Sequence, residues 1–264
     1  MRFLFVGDVV GRPGLEAISG LIKQLRKRER LDAVVVNCEN AAHGRGITPI
    51  LADQMLRDGV DVLTGGNHIF HFKAINAYME TQPRLVRPAN YPNASGRGSY
   101  RLKLSKGRTL GVIQVEGRVF MRKLNCPFAA VQEELDRLGP CTALFLDIHA
   151  EASSEKQALA WHFAGKLSAV IGTHTHVPTA DERILPGGTA YLTDAGMTGP
   201  YESVIGMVAQ DAVQRFLTHS SDGHEVATDD VRLCGAVVET DDKTGRAVSI
   251  ERLQEKFCRR RAAA

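Results

Sequence analysis

Residues 171–179 read IGTHTHVPT: two histidines one residue apart, straight after an apolar run and just before a proline. In extended backbone, side chains at i and i+2 point to the same side, so the spacing predicts that His174 and His176 leave a strand end together. Two imidazoles aimed at one point predict a metal ion. The apolar run before them is short and bounded by polar residues, as expected of a buried strand.

The same arrangement recurs toward the N-terminus. RFLFVGDVV (2–10) is followed by PGLEAISGLIKQLRKRER (13–30), in which Leu15, Ile18, Ile22 and Leu25 recur at helical spacing behind a proline. AVVVNCEN (33–40) precedes a helix opened by Thr48-Pro49, and VDVLTGGNH (60–68) precedes a helix beginning near Lys73. A helix over Pro127 to Leu138 leads into TALFLDIHAE (142–151), and one over Ser153 to Gly165 leads into SAVIGTHTH (168–176). Short β-branched runs that each end in a polar cluster before a helix predict βαβ units around a buried sheet.

Elsewhere the pattern changes. Residues 82–98 are rich in Pro, Gly, Asn and Arg and read as an irregular surface excursion, whereas SYRLKLS (99–105) and TLGVIQVEG (109–117) read as a hairpin. Later, TAYLTDAGMTG, DDVRLCGAVVETD and RAVSIERLQ read as strands with one short helix, QDAVQRFLTH, among them. The expectation is one α/β domain over 1–264, with a sheet parallel in its first half and more antiparallel later, built as two mixed sheets packed face to face. Trp161 is expected on a buried helix face.

Composition bounds the function. The 264 residues are 44% hydrophobic and 24% charged, which is ordinary for a globular protein. The net charge of +3 is concentrated in RKRER (26–30) and CRRR (258–261), runs read as solvated faces rather than nucleic-acid contacts. The cysteines Cys38, Cys126, Cys141, Cys234 and Cys258 are odd in number, with no C-x-x-C pair, which is reduced, cytosolic usage. No stretch approaches the ~20 apolar residues that span a bilayer, so a cytoplasmic protein with no membrane partner is expected.

In open α/β sheets, sites form outside the carboxyl ends of strands. Here those ends carry Asp8, then Glu39 and Asn40, then Asn67 and His68, then His149, then His174 and His176. One such residue is usually a cap or a solvated loop residue; a succession of them supplies carboxylates, amide oxygens and imidazoles, the ligand types of a borderline-to-hard cation. The set is too large for one tetrahedral ion, and two ions fit better, with Glu39 the best placed carboxylate to bridge them.

Taken in order, GDVVGRPG, NCENAAHG, GGNHIF, HAE, GTHTHVPT and TDAGMTGP resemble the calcineurin-like metallophosphoesterases, and most closely their YmdB-like branch of bacterial cyclic-nucleotide phosphodiesterases. The resemblance runs from Asp8 to about Met207. It implies a four-layer α/β/β/α sandwich in which Asp8, Glu39, Asn40 and His176 hold one metal and Glu39, Asn67, His149 and His174 the other. His68 would be the proton donor. The implied ions are iron or manganese, with zinc compatible. The implied reaction is hydrolysis of 2′,3′-cyclic nucleotides, with 3′,5′-cyclic nucleotides and monoesters as lesser substrates, by a metal-bridged hydroxide.

The sequence departs from the wider superfamily at three positions. Val10 stands where an imidazole is usual, Glu39 where the bridge is usually Asp, and Ile69 where an acidic residue usually orients the catalytic ring. What positions His68 is therefore open. Gly44, Gly46, Gly65 and Gly66 read as steric relief at turns, His43 and His71 as solvent-facing loop residues, and Arg45 as a candidate substrate contact.

The expected partner is a small phosphoester, with RNA entering only as a source of cyclic phosphate; a homo-oligomer is left open. Two rivals remain. Amidohydrolases also use His-x-His pairs, but on the first strand of an eightfold barrel, which the late, strand-rich third does not continue. The other is a metal-containing regulatory or RNA-associated protein with little turnover.

Overall fold

The computed structural model describes residues 1–219 and 225–258. Of the basic run 258–261, positions 259–261 lie outside the described residues. In chain order the elements are β1 (Arg2–Val6), α1 (Gly11–Arg28), β2 (Ala33–Asn37), α2 (Pro49–Arg57), β3 (Val62–Thr64), α3 (Ala74–Thr81), β4 (Leu85–Val86), β5 (Ser99–Lys103), β6 (Thr109–Glu116), α4 (Pro127–Leu138) and β7 (Ala143–His149). There follow α5 (Ser153–His162), β8 (Ala169–Thr173), β9 (Arg183–Leu185), β10 (Thr189–Leu192), β11 (Gly199–Pro200), α6 (Ala209–Thr218), β12 (Val231–Thr240) and β13 (Ala247–Lys256).

They form two sheets. The first has the order β11-β12-β1-β2-β3-β4, with β13 also paired to β12; the second runs β5-β6-β7-β8-β10-β9. Parallel pairing joins β1 through β4 in the first and β6, β7, β8 and β10 in the second, so both sheets are mixed. As expected, antiparallel pairing dominates later in the chain, joining β9 to β10, β11 and β13 to β12, and β12 to β1. β10 lies parallel to β8 although no helix connects them, because the excursion through β9 returns the chain to the starting end of the sheet.

Three apolar layers give the sandwich its thickness. Leu4, Val6, Val34 and Val36 on one face of the first sheet meet Ile18, Ile22 and Leu25 of α1 and Met55 of α2. On the alternate face Phe3, Phe5 and Val35 meet Val112, Phe145 and Ile171 of the second sheet. Phe145 wedges between the strands, with its ring centroid 5.6 Å from Phe3 and 4.8 Å from Phe5. Outside the second sheet, Ile113, Leu146 and Val170 pack on Val131 of α4 and Leu159 of α5. The result is the four-layer α/β/β/α arrangement, and two open sheets exclude the eightfold barrel.

Local signals explain the helix starts. Thr48 caps α2, its hydroxyl accepting from Leu51 N at 3.4 Å, and Pro49 and Pro127 occupy first-turn positions where no amide hydrogen is needed. Trp161 is 52% exposed, contrary to the expected buried face, because Leu159, Ala160 and Phe163 fill the inner side of α5. Within RKRER, Arg26 pairs with Asp61, and Arg28 with Glu29 and Glu255, so its charge is largely balanced on the surface. Among the described residues no helix is long and apolar enough to cross a membrane.

Candidate metal centre

The carboxyl ends of β1, β2, β3, β7 and β8 converge on one edge of the sandwich, where the two sheets meet. The structure places all eight sequence-derived residues there. Glu39 Oε1 lies 3.1 Å from His149 Nε2, 3.1 Å from Asn40 Nδ2 and 3.5 Å from His68 Nδ1. His149 Nε2 also lies 2.8 Å from Asn67 Oδ1 and 3.1 Å from His174 Nδ1. Asn40 Nδ2 is 3.0 Å from His176 Nε2, and Asp8 Oδ2 accepts from His174 N at 3.1 Å.

These contacts cannot all be hydrogen bonds. One ring nitrogen offers either a proton or a lone pair, yet His149 Nε2 faces a carboxylate, an amide oxygen and a second imidazole nitrogen. Asp8 Oδ1 is buried with no hydrogen-bond partner and is 3.8 Å from His149 Nδ1. Converging lone pairs and an orphaned buried carboxylate oxygen fit a cation, and Glu39, His149 and His174 offer ligand atoms within 4.8 Å of one another.

Charge follows the same logic. Burial raises the Asp8 carboxyl above its usual range. Burial acts upward on Glu39 too, but the imidazoles of His149 and His68 outweigh it and hold that carboxyl well below its usual range. Burial pulls His149 down, yet Glu39, Asp8 and Asp147 push it to about 9. His174 is driven to about 3 by burial and by its neighbour His149. Without cations, a proton on His149 is what balances the carboxylates.

The His-x-His pair is built differently from the expectation. β8 ends at Thr173, and His174 and His176 lie past it with φ of 100° and 66°. They do not leave a strand side by side. The left-handed turn sends His174 toward His149 and His176 toward Asn40, two different neighbours of Glu39. Asp194 holds this turn: its Oδ2 accepts from Thr175 N at 3.2 Å, Thr175 Oγ1 at 2.8 Å and the buried Lys156 Nζ at 2.8 Å. Gly172 makes the room, since a Cβ there would sit 2.7 Å from Lys156 Cδ and 1.8 Å from Thr193 O.

Beneath the cluster lies a support that sequence reasoning missed. Asp147 Oδ1 accepts from Thr173 Oγ1 at 2.7 Å, while its Oδ2 accepts from Thr64 Oγ1 at 2.6 Å, Asn37 Nδ2 at 3.0 Å and Gln114 Nε2 at 3.3 Å. Both sheets are thereby clipped together under the site. Because the Thr173 hydroxyl donates to Asp147, its oxygen, 2.9 Å from His149 Nδ1, accepts that ring's proton and leaves Nε2 as a lone pair aimed at the cluster when the ring is neutral. The legible signal was a carboxylate inside the apolar run ALFLDIH.

The departures also find physical answers. Val10 is buried and bridges the Asn40 backbone, and the Asn40 side chain occupies the ground near His176. His68 is oriented by Asn40, Nδ1 to Oδ1 at 2.9 Å, while Ile69 packs into the core. Gly66 leaves no room for a side chain: a Cβ would lie 2.1 Å from Glu39 Oε2 and 2.6 Å from His149 Nε2.

Glu39, His68, His174 and His176 face a cavity of about 590 Å³, a size suited to a small ligand. His43, Arg45 and His71, exposed in their loops, line its walls with Phe72 and Met207. A larger cleft of about 870 Å³ against α1 and α2 shares only Ala42 and His43 with it and holds none of the eight residues.

Residues 4–253 match the model of the YmdB-like protein family. The chain belongs to the YmdB-like family. It is 44% identical over 255 residues to a 2′,3′-cyclic-nucleotide 2′-phosphodiesterase of Bacillus subtilis (strain 168), covering 96% of both chains. A crystal structure of a protein from Thermus thermophilus superposes with a TM-score of 0.91 at 40% identity, over 97% of this chain and 99% of that one. A phosphatase structure from Mycoplasma pneumoniae gives a TM-score of 0.89 at 33% identity, over 97% and 93%. The YmdB-like fold and the convergent cluster therefore occur together in a phosphoester hydrolase.

Proposed function

We propose that this hydrolase opens 2′,3′-cyclic nucleotides at a dinuclear centre, with His68 as the general acid. The observation that carries the reading is the position of Glu39 Oε1, which lies 3.1 Å from His149 Nε2, 3.1 Å from Asn40 Nδ2 and 3.5 Å from His68 Nδ1. Asp8, Glu39, Asn40 and His176 would hold one ion, and Glu39, Asn67, His149 and His174 the other. Carboxylate, amide and imidazole donors without thiolate suit iron or manganese, and also zinc. When bound, such a pair neutralises phosphate oxygens and lowers the pKa of water toward ~7.

The chain's own residues supply the rest. Opening the ring adds one water: its oxygen joins phosphorus, the P–O2′ bond breaks, and O2′ takes a proton. His68, with Nδ1 held on Asn40 Oδ1, presents Nε2 for that proton. The Asn40 contact fixes the ring plane, the task left open by Ile69. Arg45 and His71 on the cavity wall are placed to meet ribose or base. A cyclic diester carries one negative charge, and asks less of the site than a dianionic monoester.

The deciding measurement is turnover of 2′,3′-cyclic nucleotides, 3′,5′-cyclic nucleotides and monoesters by freshly purified protein, alongside metal analysis. Two metal equivalents, preference for the 2′,3′-cyclic diesters, and activity lost to chelator and restored by manganese or iron support the reading. One equivalent, or turnover indifferent to chelator, overturns it.

A further inference from the structure

The loop after β6 carries a feature the hydrolytic site does not use. Phe120 is 90% exposed and adopts φ of 61°, a left-handed conformation that a bulky side chain rarely takes. Folding gains nothing from either property. Yet the loop is firmly held: Arg118 N and Val119 N donate to the carboxylate of Glu155 at 3.0 and 3.1 Å, and Glu151 N donates to Met121 Sδ at 3.3 Å. An aromatic side chain left exposed on a strained backbone whose neighbours are held in place is set out toward a partner.

Its location is tied to the cluster. Gly117 N donates to His149 O at 2.9 Å, and three residues of chain bring Phe120 no more than about 10 Å from Gly117. Glu151, which grips Met121, lies 3.2 Å from His174 Nε2 and lines the cavity. Arg118, Arg122 and Lys123 flank the ring, all exposed. No ion pair engages them among the described residues, in contrast to Arg26 and Arg28 of the more basic run on α1. Arg122 also feels the Glu116 carboxylate at longer range. An exposed aromatic among cations without a close ion pair is the pairing that binds single-stranded nucleic acid, the ring stacking on a base and the cations tracking phosphates.

We propose that residues 118–123 form a subsite for the nucleotide preceding a terminal cyclic phosphate, so that the preferred substrate is a short single-stranded RNA ending in a 2′,3′-cyclic phosphate. The inference rests on the phosphodiesterase reading, extending its substrate from mononucleotide to oligonucleotide end. Phe120 is a specificity residue that touches the neighbouring base and no reacting atom.

The test compares manganese-loaded wild type, Phe120→Ala and Phe120→Trp on a 2′,3′-cyclic mononucleotide and on a pentaribonucleotide with the same terminus. Anisotropy with a labelled pentaribonucleotide ending in 3′-phosphate reads binding independently of turnover. Expected are a higher kcat/KM for the oligomer in wild type and a loss of about five-fold or more on the oligomer alone in Phe120→Ala, with recovery in Phe120→Trp. Oligomer affinity should fall with salt at a logarithmic slope near about −2 for three cations, and by less in Arg122→Ala. Equal oligomer binding by wild type and Phe120→Ala overturns the subsite, and leaves the loop to some other partner. If mononucleotide and oligomer are both left intact while Phe120→Ala still weakens oligomer binding, the hydrolytic reading fails and the subsite stands.

Discussion

Asn40 Oδ1 lies 2.9 Å from His68 Nδ1, while the same side chain's Nδ2 lies 3.0 Å from His176 Nε2. One amide thus touches both the proposed acid and a proposed ligand. Removing the acid alone separates these tasks. His68→Ala should keep its metal, read by elemental analysis, and lose about 10²–10⁴-fold in kcat on a cyclic nucleotide. The loss should shrink on a bis-aryl phosphate whose leaving group needs no proton; equal losses on the two esters would contradict the assignment. Asn40→Ala, by contrast, should lower metal content as well as turnover.

Chelation should also register as stability. With ions withdrawn, Asp8 Oδ1 returns to having no partner. A ligand at a hundred times its Kd stabilises by about 2.7 kcal/mol, or about 5–10 °C in a chain of this size. A melting temperature unchanged by chelator and by added manganese would argue against a buried cation.

Metal uptake should depend on pH in a defined direction. His149, which burial lowers, is nonetheless raised to about 9 by Glu39, Asp8 and Asp147. A raised folded-state value means that this proton stabilises the metal-free protein fully below about 6.5, the ordinary value for histidine, and that the contribution fades as pH climbs through about 9. A cation must displace that proton, so apparent affinity should rise across this window with proton release. Calorimetry in buffers of different ionisation enthalpy reads the protons; none released would contradict the charge balance.

Lys156 and Asp194 form a buried pair at 2.8 Å. Lys156→Met leaves Asp194 charged and alone, which should cost about 3–5 kcal/mol in chemical denaturation. Replacing both with apolar residues should recover much of that stability yet not the metal affinity, since Thr175 loses its acceptor and the turn carrying His174 and His176 relaxes. A double variant with full metal affinity would show that the turn holds itself.

Much of this was legible in the chain, and the limits have causes. Strand-end residues could be read because each follows a β-branched run that fixes its place at the sheet edge. Periodicity located α1 through Ile18, Ile22 and Leu25, but Trp161 was put on the wrong face, since a helix of ten residues with mixed faces gives no clear side. The turn at His174 and His176 was misread because i, i+2 geometry assumes extended backbone, whereas Asp194, some twenty residues on, imposes a left-handed one. Asp147, Thr64, Asn37 and Gln114 escaped notice because their value lies in meeting across two sheets, a relation absent from local spacing. The 118–123 loop has no motif at all; what marks it is the conformation of Phe120.

Gly66 is usually the kind of residue credited with suppleness, yet its φ is not in the left-handed region, and its importance is vacancy. Adding one methyl group there would drive a wedge between Glu39 and His149 without disturbing any apolar layer. Gly66→Ala is therefore the smallest edit that should yield a well-folded, metal-poor, inert protein, a blank control that differs from the active molecule by a single carbon.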